Sequence, residues 1–514
     1  MALLRSAATV GAYTLASRVL GFVRDILIAA VLGTGPVADA FFVAFRFPNL
    51  FRRLVAEGAF AAAFVPLFAR RLEEDGKAAA RAFAEEALAV LLSALLLFTL
   101  AVEIAMPWLM RGIAVGFADA PDKFALAVEF GRLAFPYLLF MALVALLGGV
   151  LNALYRFAAA AAAPVLLNVI LIAALLFFAD AGSTPGHALA WGVAAAGAGQ
   201  FVWLAIACRR AGLSLRLPWP RLTPGVRRLL RLMVPAGLTA GVMQINLLVG
   251  TVIATLRDGA VSYLYYADRV YQLPLGVVGI AIGTALLPTL ARALRAGEAA
   301  TARDAQARAL EFAALLTLPA AAALMVVPGP IVAVLFERGA FDAAAGAATA
   351  RALAAFAFGL PAFVLVKVLS PSFLAREDTV TPLYVSLAAV AANIALSLAL
   401  FWPLAHVGIA IATSLASWLQ AGLMWAILRR RGQLALDSRL RARAPRALLA
   451  SAVMAGALWA GAAALETTFA GSAALRVAGL AALVAGGLAV FAVAAQALGA
   501  TRLSELAAMM RRRG

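Results

Sequence analysis

Apolar residues in this chain come in long runs separated by short polar segments. About fourteen runs can be read, at residues 8–33, 37–69, 82–109, 124–153, 159–180, 187–208, 228–256, 260–291, 307–327, 348–373, 380–402, 405–428, 446–465 and 475–498. Most reach the roughly 20 residues that a helix needs to cross hydrocarbon. The pattern predicts an all-α polytopic membrane protein with one transmembrane helix per run. The second run is too long for a single crossing. A continuous helix over 38–69 would extend roughly 48 Å at 1.5 Å per residue, against a hydrocarbon core of roughly 30 Å. Pro48 is placed to kink it, and part of the run is expected to tilt or leave the bilayer.

Composition agrees with the pattern. Of the 514 residues 65% are hydrophobic and only 13% charged, with a mean hydropathy of +0.97. A soluble domain is nearer half apolar and a quarter charged. Cys208 is the single cysteine, so no intramolecular disulfide is possible. The N-terminal run is not a short apolar core followed by a small-residue cleavage site, so no removed signal peptide is expected.

The runs also repeat. "FVWLAIACRRAG" (201–212) resembles "GLMWAILRRRG" (422–432), with Gln200 and Gln420 at an offset of 220. "VPLFARRLEEDG" (65–76) resembles "LPTLARALRAG" (287–297), and "APVLLN" (163–168) lines up with "TPLYVS" (381–386). The near-constant offset points to a six-helix duplication. Six is even, so both copies share one orientation, a parallel-repeat transporter architecture with the substrate site between the halves. The expected organisation is an N-terminal lobe over 1–212, a C-terminal lobe over 213–432, and an extra helix pair with a tail over 433–514.

Charge then sets the orientation. The chain carries 43 Lys+Arg against 25 Asp+Glu, a formal +18. With the N-terminus inside, the inner segments hold 29 basic residues and the outer loops four, Arg111, Lys123, Arg257 and Arg338. This asymmetry predicts both termini in the cytoplasm. It also assigns the basic surplus to membrane topology, with no call for nucleic acid.

Charges inside the runs are the informative exceptions. In "SRVLGFVRDILIAAVLG" (17–33), Ser17, Arg18, Arg24 and Asp25 fall within roughly 120° of arc at 100° per residue, one polar stripe on an apolar helix. A charge at the bilayer centre costs about 2.5–3.5 kcal/mol even on the lenient insertion scale, so such residues face a bundle interior or a hydrated cavity. An internal salt bridge, Arg24 or Arg18 with Asp25, is one explanation. "DAFFVAFRFPNLFRRLVAEGAF" (39–60) spaces Arg53 and Glu57 as an i,i+4 pair, while Arg52 points 100° away with no acid of its own; Arg46 is ambiguous. In "SYLYYADRVYQLP" (262–274), Tyr265, Arg269 and Gln272 share a face and Asp268 is placed to neutralise Arg269. The tyrosines there, Tyr263, Tyr265 and Tyr266, read as an interfacial belt without a site role. Arg18, Arg24, Arg52 and Arg269 form the candidate cluster, with Lys367 weaker because it can snorkel. A guanidinium fork pairs bidentately with phosphate or carboxylate, so a cavity walled by these groups wants a multivalent anion.

Four stretches together, "SRVLGFVRD", "DAFFVAFRFPNLFRRLVAEGAF", "YYADRVYQLPLGVVGIAIGTALLP" and "VKVLSPSFLAREDTVTP", resemble the MurJ (MviN) lipid II flippases of bacteria, within the MOP exporter superfamily. The resemblance covers nearly the whole chain. It implies a fourteen-helix inner-membrane protein with two six-helix lobes around a central cavity. Its partner would be lipid II, undecaprenyl diphosphate bearing a disaccharide-pentapeptide, with membrane lipids around a monomer. It places the family's essential arginines on Arg18, Arg24, Arg52 and Arg269, and further motif positions on Ser17, Asp25, Asp39, Asn49 and Glu57. It assigns the two extra helices to a groove for the lipid tail. One departure matters. Some relatives carry an acid after "QINLLV" in a sodium site; here that position is Gly250, and Ser397, one turn beyond Asn393, is not acidic. No sodium site is carried over, and no other cofactor is called for.

Other classes fit less well. There is no G-x-x-x-x-G-K-[ST] segment for a nucleotide, and His187 and His406 form no ligand set. A membrane enzyme acting on polyprenyl phosphates would need a base or metal-binding carboxylates near a membrane face and a sizeable outer loop. Another MOP-type exporter, of lipid-linked oligosaccharide or of drugs, is the alternative; a drug exporter for cations would want an acid-lined cavity, not arginines.

Overall fold

The computed structural model describes residues 2–53, 60–434 and 437–501; within its helices the side chains at 2–7, 234–243, 245, 277 and 280–285 also lie outside the described set. Every regular element among the described residues is a helix. In chain order these are α1 (Ala2–Leu32), α2 (Pro36–Phe51), α3 (Ala61–Glu74), α4 (Gly76–Ile113), α5 (Pro121–Ala134), α6 (Tyr137–Ala153), α7 (Phe157–Phe177), α8 (Pro185–Arg210) and α9 (Pro224–Thr255). There follow α10 (Ala260–Arg295), α11 (Ala299–Val326), α12 (Pro328–Phe336), α13 (Ala343–Leu374), α14 (Val380–Leu404), α15 (His406–Arg430), α16 (Ser438–Ala464), α17 (Glu466–Phe469) and α18 (Ala473–Ala497). Each of the fourteen apolar runs falls on one of these helices or on a pair of them, and ten helical segments among the described residues are long and apolar enough to span a membrane. The chain is an all-α polytopic membrane protein.

Two of the runs divide into two helices. The overlong second run becomes α2 and α3, and the helix widens to a π turn at Arg52 and Arg53, just after Pro48. The fourth run, expected as one span over 124–153, is divided at Phe135–Pro136 into α5 and α6. Pro136 has no N–H for the carbonyl four residues back, and its ring crowds that carbonyl. The nine-residue α12 has no counterpart among the apolar runs.

Two compact units make up the chain. One comprises Met1–Ser262 and Arg338–Phe341. Its core stacks Phe64 on Phe60, Phe68 and Phe83 at centroid distances of 5.0, 5.6 and 5.6 Å, tying α3 to α4. Gly149 of α6 lies so close that an added Cβ would stand 3.0 Å from the Phe64 ring. Cys208 of α8 is buried against α6, its thiol directed at the Leu147 carbonyl 3.7 Å away. On the outer face of α4, Leu97, Leu100, Ile104 and Trp108 are 60–69% exposed and lie three or four residues apart, a stripe suited to lipid rather than water. In the same unit the 338–341 segment is seated on the end of α1. Ala340 N donates to Ala30 O at 2.8 Å, and Gly33 and Gly339 both take positive φ, +61° and +58°.

The other unit comprises Tyr263–Glu337 and Asp342–Gly514. Val364, Val368 and Phe373 of α13 pack with Leu310 of α11 and Met424 and Leu428 of α15. Gly359 lets α13 approach α15: a Cβ there would meet Ser414 Oγ at 2.5 Å. The extra pair, α16 and α18, joins through Met454, Leu458 and Leu483 onto Val327 beside α12. Charges reinforce this, since Glu311 of α11 accepts from Arg439 and Arg443 of α16 at 3.1 and 2.6 Å. The duplicated "Q" positions play parallel parts. Gln200 Nε2 donates to Ala163 O at 2.9 Å between α8 and α7, and Gln420 Nε2 donates to Ser386 Oγ at 3.0 Å between α15 and α14.

Candidate functional site

On α1, Arg24 and Ser17 touch Asn168 of α7, while Arg18 is exposed. Arg24 is buried, and its guanidinium donates twice to Asp25 Oδ1, from Nε at 3.0 Å and Nη2 at 2.7 Å. Its Nη1 donates to Asn168 Oδ1 at 2.9 Å. Asn168 Nδ2 in turn donates to Ser17 O at 2.8 Å and reaches Ser17 Oγ at 3.3 Å. The intrahelical salt bridge read as an alternative in the sequence is therefore formed, and its basic member is Arg24. Arg18, nearly in line with Asp25, is exposed. Asn168 was missed: its signal is a lone amide in the otherwise apolar α7. An acid and an amide on two sides fix the plane of the Arg24 fork, which a lone flexible side chain would not do.

The second motif divides. Arg52 is half-buried and donates through Nε to Asn49 Oδ1 at 3.0 Å, so the π turn and its preceding amide orient it. Single π turns inside helices are frequent at functional sites. Arg46 is resolved as a tie to α9, its Nη1 donating to Leu247 O at 3.2 Å and to Thr251 Oγ1 at 2.5 Å. Arg53 is exposed; Glu57, and with it the expected i,i+4 pair, lies outside the described residues.

Asp39 sits in a closed node instead of on an open face. It has no exposed surface and accepts from four donors: Lys123 Nζ at 2.8 Å, Gly259 N at 2.9 Å, Ser262 N at 3.0 Å and Ser262 Oγ at 2.6 Å. Lys123 also donates to Asp258 at 2.8 Å and lies 4.3 Å above the Phe117 ring. The node joins the start of α2 to α5 and to the α9–α10 turn. The partners of Asp39, 84 to 223 residues away in sequence, come from remote segments.

In the other unit, Arg269 of α10 is partly buried with its guanidinium 4.6 Å over the Tyr265 ring. Such a stack holds the cation flat against the ring face. Asp268, expected to neutralise Arg269, accepts from Gln272 one turn on. Tyr265 and Tyr266 are buried, 7% and 0% exposed, so they do not form the interfacial belt that their position suggested. Tyr266 packs on Phe336 at 5.3 Å and Tyr263 on His406 at 5.0 Å. Lys367 packs against Gly279, where an added Cβ would stand 2.8 Å from its Nζ. Among the described residues no group of His, Cys, Asp and Glu is arranged to hold a metal.

Comparison with known proteins follows the same lines. The family model described as "Lipid II flippase MurJ" matches residues 28–479. A probable lipid II flippase MurJ of Rhizobium meliloti is 52% identical over 463 residues, covering 89% of this chain and 86% of the relative. A lipid II flippase MurJ of Burkholderia cenocepacia is 38% identical over 438 residues, covering 84% and 85%. A solved lipid II flippase MurJ in an inward closed conformation aligns with a TM-score of 0.75 at 23% identity, over 94% of this chain and 97% of that one. An inward-facing multidrug-resistance MATE transporter of the MOP superfamily aligns at 0.66 and 17% identity, over 81% and 95%. The structural likenesses carry the fold alone. Matched across most of its length by the family model, and at half identity by a curated relative, the chain belongs to the MurJ lipid II flippase family.

Proposed function

We propose that this chain moves lipid II from the inner to the outer leaflet of the bacterial cytoplasmic membrane by alternating access. Arg24 carries the reading. A membrane-buried guanidinium is costly, and here Asp25 and Asn168 hold its fork in one plane, the planar geometry by which a guanidinium recognises phosphate. The diphosphate of the cargo is the multivalent anion such a group suits. Its ligands in this proposal are Arg18, Arg24 and Arg52 from the first half of the chain and Arg269 from the second. Ser17, Asp25 and Asn49 orient these arginines, and Glu57 belongs to the same motif. Asp39 positions the helix that bears Arg52. The polyprenyl tail stays in lipid while the headgroup crosses.

The duplication supports lobes over 1–212 and 213–432, with 433–514 as the added pair and tail. The loop-charge asymmetry supports cytoplasmic termini, and the protein acts as a monomer that needs no catalytic group. The test is genetic. In a bacterium depleted of its own lipid II flippase, expression of this chain restores growth. Normal accumulation in the membrane without rescue would overturn the proposal.

A further inference from the structure

A second basic site lies within the first unit, away from the α1 stripe. A cavity of about 480 Å³ opens where the start of α1, the α6–α7 turn and the end of α8 meet. Arg156 and Arg210 line it together with Tyr13, Tyr155, Phe157 and Trp203. Apart from one threonine the rest of the lining is aliphatic, and no described residue of the lining is acidic. Both arginines are exposed and lie in segments of the basic, inner-loop class.

The backbone at its mouth is strained. Tyr155 has φ +59°, a left-handed conformation that a bulky residue rarely adopts. It closes the end of α6, where Tyr155 N donates to Asn152 O at 3.0 Å and Arg156 N donates to Leu151 O at 2.8 Å. Glycine is the usual residue at such a helix end. This chain instead places a tyrosine there, 77% exposed, its ring edge-on to Phe157 at 6.2 Å. Trp203 is also fixed, its indole N–H donating to Ala159 O at 3.1 Å. Strain is accepted where it sets an aromatic ring in the lining of a cavity that also holds Arg156 and Arg210.

We propose that this cavity binds the phosphate headgroup of an anionic glycerophospholipid from the leaflet facing the basic loops. Basic pockets between membrane helices on that side take anionic headgroups, and tyrosine and tryptophan sit at headgroup depth. The volume falls in the range of ordinary ligand pockets. The aliphatic wall suits a glycerol and the first methylenes of its chains, which a free phosphate lacks. Two arginines without an acid set the charge preference. The side of the membrane rests on the proposed orientation; the binding does not.

The test uses the full chain in phosphatidylcholine nanodiscs with brominated phosphatidylglycerol titrated in, reading quenching of tryptophan fluorescence. Trp203→Phe identifies the quenched component that belongs to the cavity. The Arg156→Ala/Arg210→Ala double variant weakens this component ~30-fold, two arginines at the worth of a basic residue on an anionic surface. Arg209→Ala changes the charge of the same helix end outside the lining and leaves quenching as in the wild type. Tyr155→Gly relieves the backbone, so its melting temperature in detergent rises while phosphatidylglycerol binding falls; this pairing separates a lipid site from a folding defect. Equal loss in Arg209→Ala would reduce the effect to general surface charge and overturn the site. Equal quenching by brominated phosphatidylcholine would overturn the anionic preference. Displacement of the lipid by inorganic phosphate would make it a free-anion site instead.

Discussion

Asp39→Asn keeps the shape of a fully buried side chain and removes its charge. The amide oxygen can still accept from Ser262 N and Oγ, at the positions now 3.0 and 2.6 Å from Oδ1. The amide nitrogen then faces the Lys123 ammonium and the Gly259 N–H, now 2.8 and 2.9 Å from Oδ2, donor against donor. Lys123 is 4% exposed and would keep the Phe117 ring and, as its acid partner, Asp258, whose side chain is 93% exposed. Breaking one side of a buried ion pair costs about 3–5 kcal/mol. Lys123→Met fills similar space without charge and takes the cation from Asp39, which keeps its donors Gly259 N, Ser262 N and Ser262 Oγ, so the cost should be smaller. In the double variant neither charge is stranded, so the two losses should fall short of additive by about 2–3 kcal/mol. Equilibrium unfolding in mixed micelles at rising dodecyl sulfate, for wild type, both singles and the double, measures that coupling. Additivity within about 0.5 kcal/mol would mean the pair does not act as a unit, and the node would lose its place in holding α2.

Three further outcomes are expected. Arg24→Lys keeps a positive charge but not the three-pronged contact to Asp25 and Asn168, so it should rescue a flippase-depleted strain little better than Arg24→Ala at equal protein level; full rescue by Lys would leave Arg24 as a neutraliser only. Gly339→Ala puts a Cβ 2.2 Å from Ala30 O at a φ of +58°, so its folded yield by fluorescence-detected size exclusion should drop severely, and a wild-type profile would refute the seating of 338–341 on α1. Asp378 titrates at about 2, below the ordinary 3.8, because Arg431 donates to its carboxylate at 2.7 Å and Thr381 N at 2.9 Å. Its stabilising share is therefore present above pH ~4 and lost as pH falls toward ~2; on this exposed pair it is worth at most about 1 kcal/mol, and Arg431→Gln should flatten the acid limb of the melting curve.

Hydropathy made the spans legible because lipid imposes one rule on every crossing helix. The break at Pro136 was not read, since apolar residues continue on both sides of it. The short α12 was missed for the opposite reason: nine residues are too few to stand out as a run. At the site, intrahelical neighbours were accessible. Arg24 with Asp25 and Arg52 beside Asn49 follow from positions one and three residues apart. Asn168 and Lys123 were not, because they meet Ser17, Arg24 and Asp39 across 84 to 151 residues of chain. Tyr265 was misjudged because position near a span's end says nothing of what packs over it; only the fold shows Arg269 lying on its ring.

The lone thiol gives the protein a practical property. Cys208 is 2% exposed and turned to a backbone carbonyl, so water-soluble maleimides and spin labels should pass it by in the folded state. The natural sequence is then already a silent background for site-directed labelling. A cysteine placed at an exposed position such as Asp75 or Arg303 would report alone, and a pair of them would give interspin distances without first engineering thiols out. Maleimide uptake by the unaltered chain would itself become a gauge of integrity, since Cys208 reacts only when α6 and α8 part.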